Sequence, residues 1–200
     1  MGAAELYLVR HAQAAGRDDD DPGLSERGRA QARALGARLA ACTFATVLHS
    51  PRRRAEETAT IVSSFLAPTA VASSPLLDDR TPVPSDERRD EYPRRYHQAL
   101  GDVPAQERDV DAVELREAVS RLVATAEEQA ALGPLLLVTH AFVIGWFVRS
   151  ALETATWRWI GLDSDNTGLT VIRYPPDGPF LVAFNDTGHL AALEPRSADG

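Results

Sequence analysis

The sequence predicts an α/β domain, a three-layer sandwich whose central sheet is mostly parallel, with helices on both faces and an antiparallel edge strand. Three observations carry this expectation. Short apolar runs alternate with amphipathic stretches along most of the chain. The run Leu135-Leu136-Leu137-Val138 is apolar without alternation, as in a strand buried on both faces. Leu169 to Tyr174 and Phe180 to Phe184 flank Pro175-Pro176-Asp177-Gly178, the pattern of an antiparallel hairpin at a sheet edge. With 200 residues, 44% of them hydrophobic, the chain can bury one core, so residues 1–200 are expected to form a single domain.

The first strand is expected at Glu5-Leu6-Tyr7-Leu8-Val9, followed by a loop rich in Asp and Gly from Gly16 to Gly23. Its acidic run, Asp18 to Asp21, reads as a solvated turn, because the spacing implies no metal-ligand geometry. Ser25 can cap a helix with Glu26 in its first turn, and Leu24, Ala32, Leu35 and Leu39 give apolar positions near helical spacing to about Ala41. The unit then repeats. Ala45 to Leu48 forms a strand, Ser50 is the expected cap, and Pro51 takes the first helical position, where a missing N–H costs nothing, of a helix running to Leu66.

Thr69 to Ser73 reads as a third short strand. From Ser74 to Gln106, prolines and charges replace periodicity apart from a helix at Tyr92 to Leu100, so residues 74–106 are expected to be a lid or substrate loop inserted in the domain. A long helix from Val110 to Ala131 ends before Gly133-Pro134, the Leu135 strand follows, and Phe142 to Leu152 forms the next helix. Trp157 and Trp159 are expected to pack a short helix on the core.

The formal net charge is −8, from 29 acidic and 21 basic residues, which argues against nucleic-acid or anionic-membrane binding. Every basic residue is an arginine and none is a lysine, so one arginine carries little information until its position is known. Cys42 is the sole cysteine; no intrachain disulfide can form, and a reducing compartment fits. Leu135 to Val148 is too short to span a bilayer and is interrupted by Thr139-His140. Without a charged leader followed by an apolar stretch, the expectation is a soluble, cytoplasmic protein, with a homodimer compatible through an edge strand or the Trp157/Trp159 region.

Three strand-to-helix junctions carry the chemistry: Arg10-His11-Ala12, Ser50-Pro51-Arg52-Arg53-Arg54, and Thr139-His140-Ala141. In a mostly parallel sheet such junctions share one edge, where helix N-terminal amides attract anions. Guanidinium and imidazole groups converging there suit phosphoryl transfer. By contrast, His49, His97 and His189 read as structural or surface residues, although a C-terminal loop could return His189 toward the crevice.

At these residues the chain resembles the histidine phosphatase superfamily, the phosphoglycerate-mutase-like phosphatases. Their pattern is Arg-His-Gly near the N-terminus, Ser-x-x-x-Arg-Ala opening a helix, and a late Ser/Thr-His-Gly. Here Ser50 to Ala55 fits, Leu24-Ser25-Glu26-Arg27-Gly28 resembles the family's Leu-Thr/Ser-x-x-Gly segment, and Ala12 and Ala141 replace glycines. The resemblance implies His11 as nucleophile forming a phosphohistidine, Arg10, Arg54 and His140 binding the phosphoryl oxygens, and no metal or other cofactor. It implies as substrate a phosphorylated small molecule or a phosphoprotein.

The resemblance places the proton donor after the third strand, where the family usually has Glu. Leu77-Asp78-Asp79-Arg80-Thr81-Pro82 resembles the Leu-x-Glu-x-x-Pro stretch of the mitochondrial Ser/Thr protein phosphatase branch, which puts Asp79 at the acid position, with Asp78, Glu87 and Glu91 as alternatives. An aspartate is shorter and more acidic, so a reduced rate at neutral pH or an acid optimum is expected. Gln13 and Asp186-Thr187-Gly188 extend the likeness to that branch. Ala14 and Arg17 depart from the mutase positions, and 200 residues leave little room for a mutase's insertions, so a phosphatase is favoured over a phosphoglycerate mutase. Two further alternatives are an idle phosphate- or phosphoprotein-binding module, and a metal hydrolase using His11, His140 and the Asp cluster.

Overall fold

The computed structural model describes residues 3–16 and 21–193; Arg17 and Asp18 to Asp20 lie outside the described residues. The chain runs β1 (Ala4–Arg10), α1 (Glu26–Leu39), β2 (Thr46–His49), α2 (Arg53–Ser63), β3 (Ala70–Ser73), β4 (Thr81–Val83), α3 (His97–Gly101), β5 (Arg108–Val110), α4 (Val113–Gln129), β6 (Leu135–Thr139), α5 (Ala141–Ala151), β7 (Leu169–Tyr174) and β8 (Phe180–Asp186). The six-stranded sheet has the order β3-β2-β6-β1-β7-β8. Strands β3, β2, β6 and β1 are parallel neighbours, β7 pairs antiparallel with β1, and β8 pairs antiparallel with β7. The antiparallel hairpin expected at the sheet edge is β7–β8, with β8 outermost.

Why β6 reads as unbroken apolar sequence is clear from its neighbours. Leu135 and Leu137 point into one core with Leu6, Leu8, Leu115, Leu122 and Phe147; Leu136 and Val138 point into the other with Leu35, Val47, Ala55 and Val62. Both faces of the central strand are covered, so both residue parities must be apolar. Helices α4 and α5 supply one outer layer, α1 and α2 the other.

Several local expectations change. Helix α2 begins at Arg53, not at Pro51, and its cap residue is Arg52. The Ser50 hydroxyl accepts from the Arg52 amide at 3.2 Å, but it also faces His140 at 2.8 Å, so a side chain expected to cap locally serves the crevice. The helix expected at Tyr92 to Leu100 is a 3₁₀ turn at Arg94–Tyr96 leading into the short α3. The small parallel pair β4–β5 was not legible at all, since three-residue strands leave no periodic signal. Trp159 is buried in a 3₁₀ turn, Thr156–Gly161, that packs on the core as expected. Cys42 packs half-buried against the α1/α2 core.

Candidate active site

The three junctions lie side by side because the strand ladders continue past the strand ends. The His11 amide donates to the Thr139 carbonyl at 2.9 Å, and the Ser50 amide donates to the Val138 carbonyl at 2.9 Å. Behind them, α1 abuts the loop after β1: the Ser25 amide donates to Gln13 O at 3.0 Å and the Ser25 hydroxyl accepts from the Gly28 amide. Gly28 is required here, since a Cβ would sit 2.1 Å from the Gln13 carbonyl oxygen. This is the physical meaning of the Leu24-Ser25-Glu26-Arg27-Gly28 segment.

His11 is oriented from both ring nitrogens. Nδ1 lies 2.8 Å from the Ala12 carbonyl, which can only accept, so Nδ1 carries the proton. In the neutral ring that leaves the lone pair on Nε2, to which the Arg54 Nε–H donates at 3.1 Å. Arg54 is almost wholly buried and bridges three groups, because its Nη2 also lies 2.8 Å from Asp79 Oδ2 and 3.4 Å from His140 Nδ1. Thr58 holds the start of α2 against the β1 loop, donating to the Arg54 carbonyl and accepting from the Ala12 amide.

His140 stacks at a tilt 5.1 Å from His11. Its Nε2 is 2.8 Å from the Ser50 hydroxyl and its Nδ1 is 3.2 Å from Asp79 Oδ2. Burial, and then the positive surroundings of His11, Arg54, Arg52 and Arg10, hold its pKa well below the ordinary histidine value. The ring is therefore neutral at physiological pH in the free site.

Asp79 and Asp78 are sorted by hydrogen bonds. Asp78 faces Arg52, accepting from its Nε at 2.9 Å and from the Asp79 amide at 2.8 Å, while Asp79 lines the cavity. Arg52 is thus a fixed partner of Asp78. The turn that carries both acids is tied to the sheet by the buried Thr139 hydroxyl, which donates to the Leu77 carbonyl at 2.7 Å. Neither Glu87 nor Glu91 lines the cavity; both are exposed, and Glu91 pairs with Arg88 at 2.9 Å.

The cavity has a volume of about 570 Å³, and Arg10, His11, Arg54, Asp79 and His140 are its charged and titratable lining together with Asp163. Of residues 74–106, Asp79 is the one that lines it; Leu77, Val83, Tyr92 and Leu100 in that stretch are core residues. An apolar wall comes from Phe142 on the first turn of α5 and from Trp159, Ile160 and Leu162. Gly145 permits that wall, since a Cβ there would meet the Trp159 and Leu162 carbonyl oxygens at 3.0 and 3.1 Å.

Sequence reasoning missed the loop at 162–167. Because β7 runs antiparallel to β1, its beginning lies at the edge where the parallel strands end. The Arg10 guanidinium donates to the Ser164 carbonyl and stands 3.8 Å from the Asp163 carboxylate, while Asn166 Nδ2 donates to the His11 carbonyl at 2.9 Å. Thr167 is held by His189, whose Nε2 lies 3.0 Å from its hydroxyl, so the C-terminal loop does return behind the crevice. The available signal was Asp163-Ser164-Asp165-Asn166, a polar turn directly before an apolar strand. Among the described residues, no group of three or more His, Cys, Asp or Glu side chains is arranged to hold a metal ion.

The chain resembles Serine/threonine-protein phosphatase PGAM5, mitochondrial, of Rattus norvegicus, at 29% identity over 190 residues, covering 92% of this chain and 63% of that protein. The Caenorhabditis elegans relative of the same name is 30% identical over 190 residues, with 92% of this chain and 63% of the relative covered. The chain thus spans less than two thirds of the length of these relatives. Their names place them in mitochondria, which overturns the expectation of a cytoplasmic protein.

The fold matches the alpha-ribazole phosphatase from Shigella flexneri (TM-score 0.67, 21% identity, 92% of this chain and 96% of that one). It also matches phosphoserine phosphatase from Entamoeba histolytica (TM-score 0.69, 19% identity, 93% of this chain and 98% of that one). The sequence model of the histidine phosphatase superfamily (branch 1) matches residues 6–187, nearly the whole span that holds the crevice, and the chain belongs to that superfamily.

Proposed function

We propose that this protein is a metal-independent phosphomonoesterase that works through a phosphohistidine on His11 Nε2. The observation that carries the reading is the hydrogen bond from His11 Nδ1 to the Ala12 carbonyl, which leaves the Nε2 lone pair among the charged groups that line the cavity. A positioned neutral imidazole is a competent nucleophile near neutral pH. Arg10, Arg54 and His140 surround the position that the phosphoryl oxygens would take, and fixed guanidinium groups stabilise charge as it spreads over them.

In the first step the Nε2 lone pair attacks phosphorus, a P–N bond forms, and the P–O ester bond breaks. The leaving oxygen takes a proton from the Asp79 carboxyl and departs as an alcohol. In the second, Asp79 carboxylate takes a proton from water, the resulting hydroxide displaces the imidazole, and inorganic phosphate leaves with His11 neutral again. Asp79 Oδ2 now rests on Arg54 and His140, the same donors an incoming phosphate needs. Substrate binding therefore releases the acid from its partners and brings a dianion beside it, which favours its protonated form. The substrate is a phosphorylated small molecule or a phosphoprotein, a serine/threonine phosphatase activity being that named for the relatives.

The test is hydrolysis of p-nitrophenyl phosphate in EDTA, with acid-labile, alkali-stable phosphoryl label trapped on the protein. His11→Ala should abolish both turnover and label. An active His11→Ala enzyme would falsify the reading, as would activity lost in EDTA and restored by a divalent ion. Vanadate binding without turnover at any pH would instead indicate an idle binding module.

A further inference from the structure

We infer that the site takes monoesters of uncharged aromatic alcohols, and disfavours substrates with a second anionic group; the inference deepens the phosphatase reading and rests on it. The cavity is lined by two unlike groups of side chains. Apart from the phosphate donors, Phe142, Trp159, Ile160 and Leu162 line it. Phe142 is 44% exposed, and its ring meets Trp159 edge to face at 5.1 Å. The wall is built rather than incidental: Gly145 lets the Thr156–Gly161 turn seat against α5, and Trp159 is held in the core. A flat leaving group laid against it gains burial and ring–ring contact.

Charge points the same way. Among the described residues lining the cavity, the permanent cations are Arg10 and Arg54, the two guanidinium groups that the phosphatase reading assigns to the phosphoryl oxygens. Asp163, a carboxylate whose side chain is 87% exposed, also lines the cavity, 3.8 Å from the Arg10 guanidinium. Among these residues, a second carboxylate or phosphate on the substrate would find no cation that is not already shared with a carboxylate, Asp163 standing beside Arg10 and Asp79 2.8 Å from Arg54, in a protein of net charge −8.

The acid fits an aryl leaving group as well. Asp79 is an aspartate where the family usually has a glutamate, shorter by one methylene, which shortens its reach to the leaving oxygen. A phenol, with a pKa of about 10, leaves with less help than an aliphatic alcohol.

Binding and turnover test this separately. By calorimetry, benzylphosphonate should bind about tenfold more tightly than phosphonoacetate, the gain expected from burying one ring face. Phe142→Ala and Leu162→Ala should each erase several-fold of that ratio while inorganic phosphate affinity stays unchanged. Asp163→Asn should narrow the ratio from the other side by strengthening phosphonoacetate. Equal or tighter phosphonoacetate binding, or a ratio indifferent to both wall variants, overturns the inference. Because the Phe142 ring is largely at the surface, its truncation reports the wall without unfolding the protein.

In turnover, kcat/KM for 1-naphthyl phosphate should exceed that for 3-phosphoglycerate by at least tenfold. Comparable hydrolysis of both sinks the substrate assignment and leaves the phosphatase reading standing. Discrimination between the phosphonates without hydrolysis of any ester does the reverse.

Discussion

Replacing Asp79 by asparagine should move catalysis and phosphate affinity in opposite directions. Asp79 Oδ2 is 2.8 Å from Arg54 Nη2 and 3.2 Å from His140 Nδ1, so in the free protein it holds the donors a phosphoryl group requires. Two unit charges about 4 Å apart attract by about 4 kcal/mol at an effective dielectric of about 20. The Asp79 side chain is 23% exposed and faces a solvent-filled cavity, so about 1–2 kcal/mol is a better figure for what phosphate must displace. An amide keeps the shape and removes the charge, which should tighten inorganic phosphate or vanadate binding about tenfold.

The same change removes the proton donor, and kcat/KM for an aliphatic ester should fall by about 10²–10⁴. Without ligand the variant should also melt lower, since Arg54 stays buried with one counter-charge fewer, and saturating phosphate should restore the difference. The assay is vanadate inhibition and steady-state kinetics on one preparation, with thermal melts at zero and saturating phosphate. Weaker vanadate binding with an unchanged kcat would refute both roles assigned to this carboxylate.

Other outcomes follow from the same geometry. Arg54→Lys keeps the charge but cannot place Nε on His11 and Nη2 on Asp79 together, so kcat/KM should drop about 10²-fold or more, measured in the EDTA assay. His140 has a depressed pKa when folded, so below pH about 6.5 the unfolded chain takes up a proton that the folded one does not, and stability is lost as pH falls. Its contribution approaches about 1.4 kcal/mol per pH unit, and urea midpoints from pH 5 to 7 should show a slope that His140→Asn flattens; equal slopes would exclude the burial effect. Gly28→Ala puts a Cβ 2.1 Å from the Gln13 carbonyl and should cost about 1–3 kcal/mol by chemical denaturation, with loss of activity because the loop after His11 must shift.

Much of the architecture was legible because its signals are local. Both parities of β6 are apolar since both faces are covered, and Ser25 caps α1 through the Gly28 amide. The exceptions have specific causes. Ser50 looked like a helix cap but its hydroxyl is drawn to His140, ninety positions away in the chain. Strands β4 and β5 are too short to show a period. The Trp159 and Asn166 side of the cavity was not legible, because an antiparallel hairpin expected from sequence does not say that β7 will pair with β1 and bring the polar turn before it to the crevice.

The sequence by itself determined the order of strands and helices and the residue types at three strand ends. Apolar periodicity and turn chemistry are properties of neighbouring residues, so they survive without a partner. The tertiary structure alone decided which nitrogen of His11 offers its lone pair, why Asp79 and not Asp78 faces the cavity, and which side chains form its apolar wall. The last two depend on contacts between distant segments, an Arg52 that turns one carboxylate aside and an antiparallel strand that brings a polar turn to His11. The Ala12 carbonyl that fixes the tautomer is next in the chain but sits in a backbone segment held by Thr139 and Thr58.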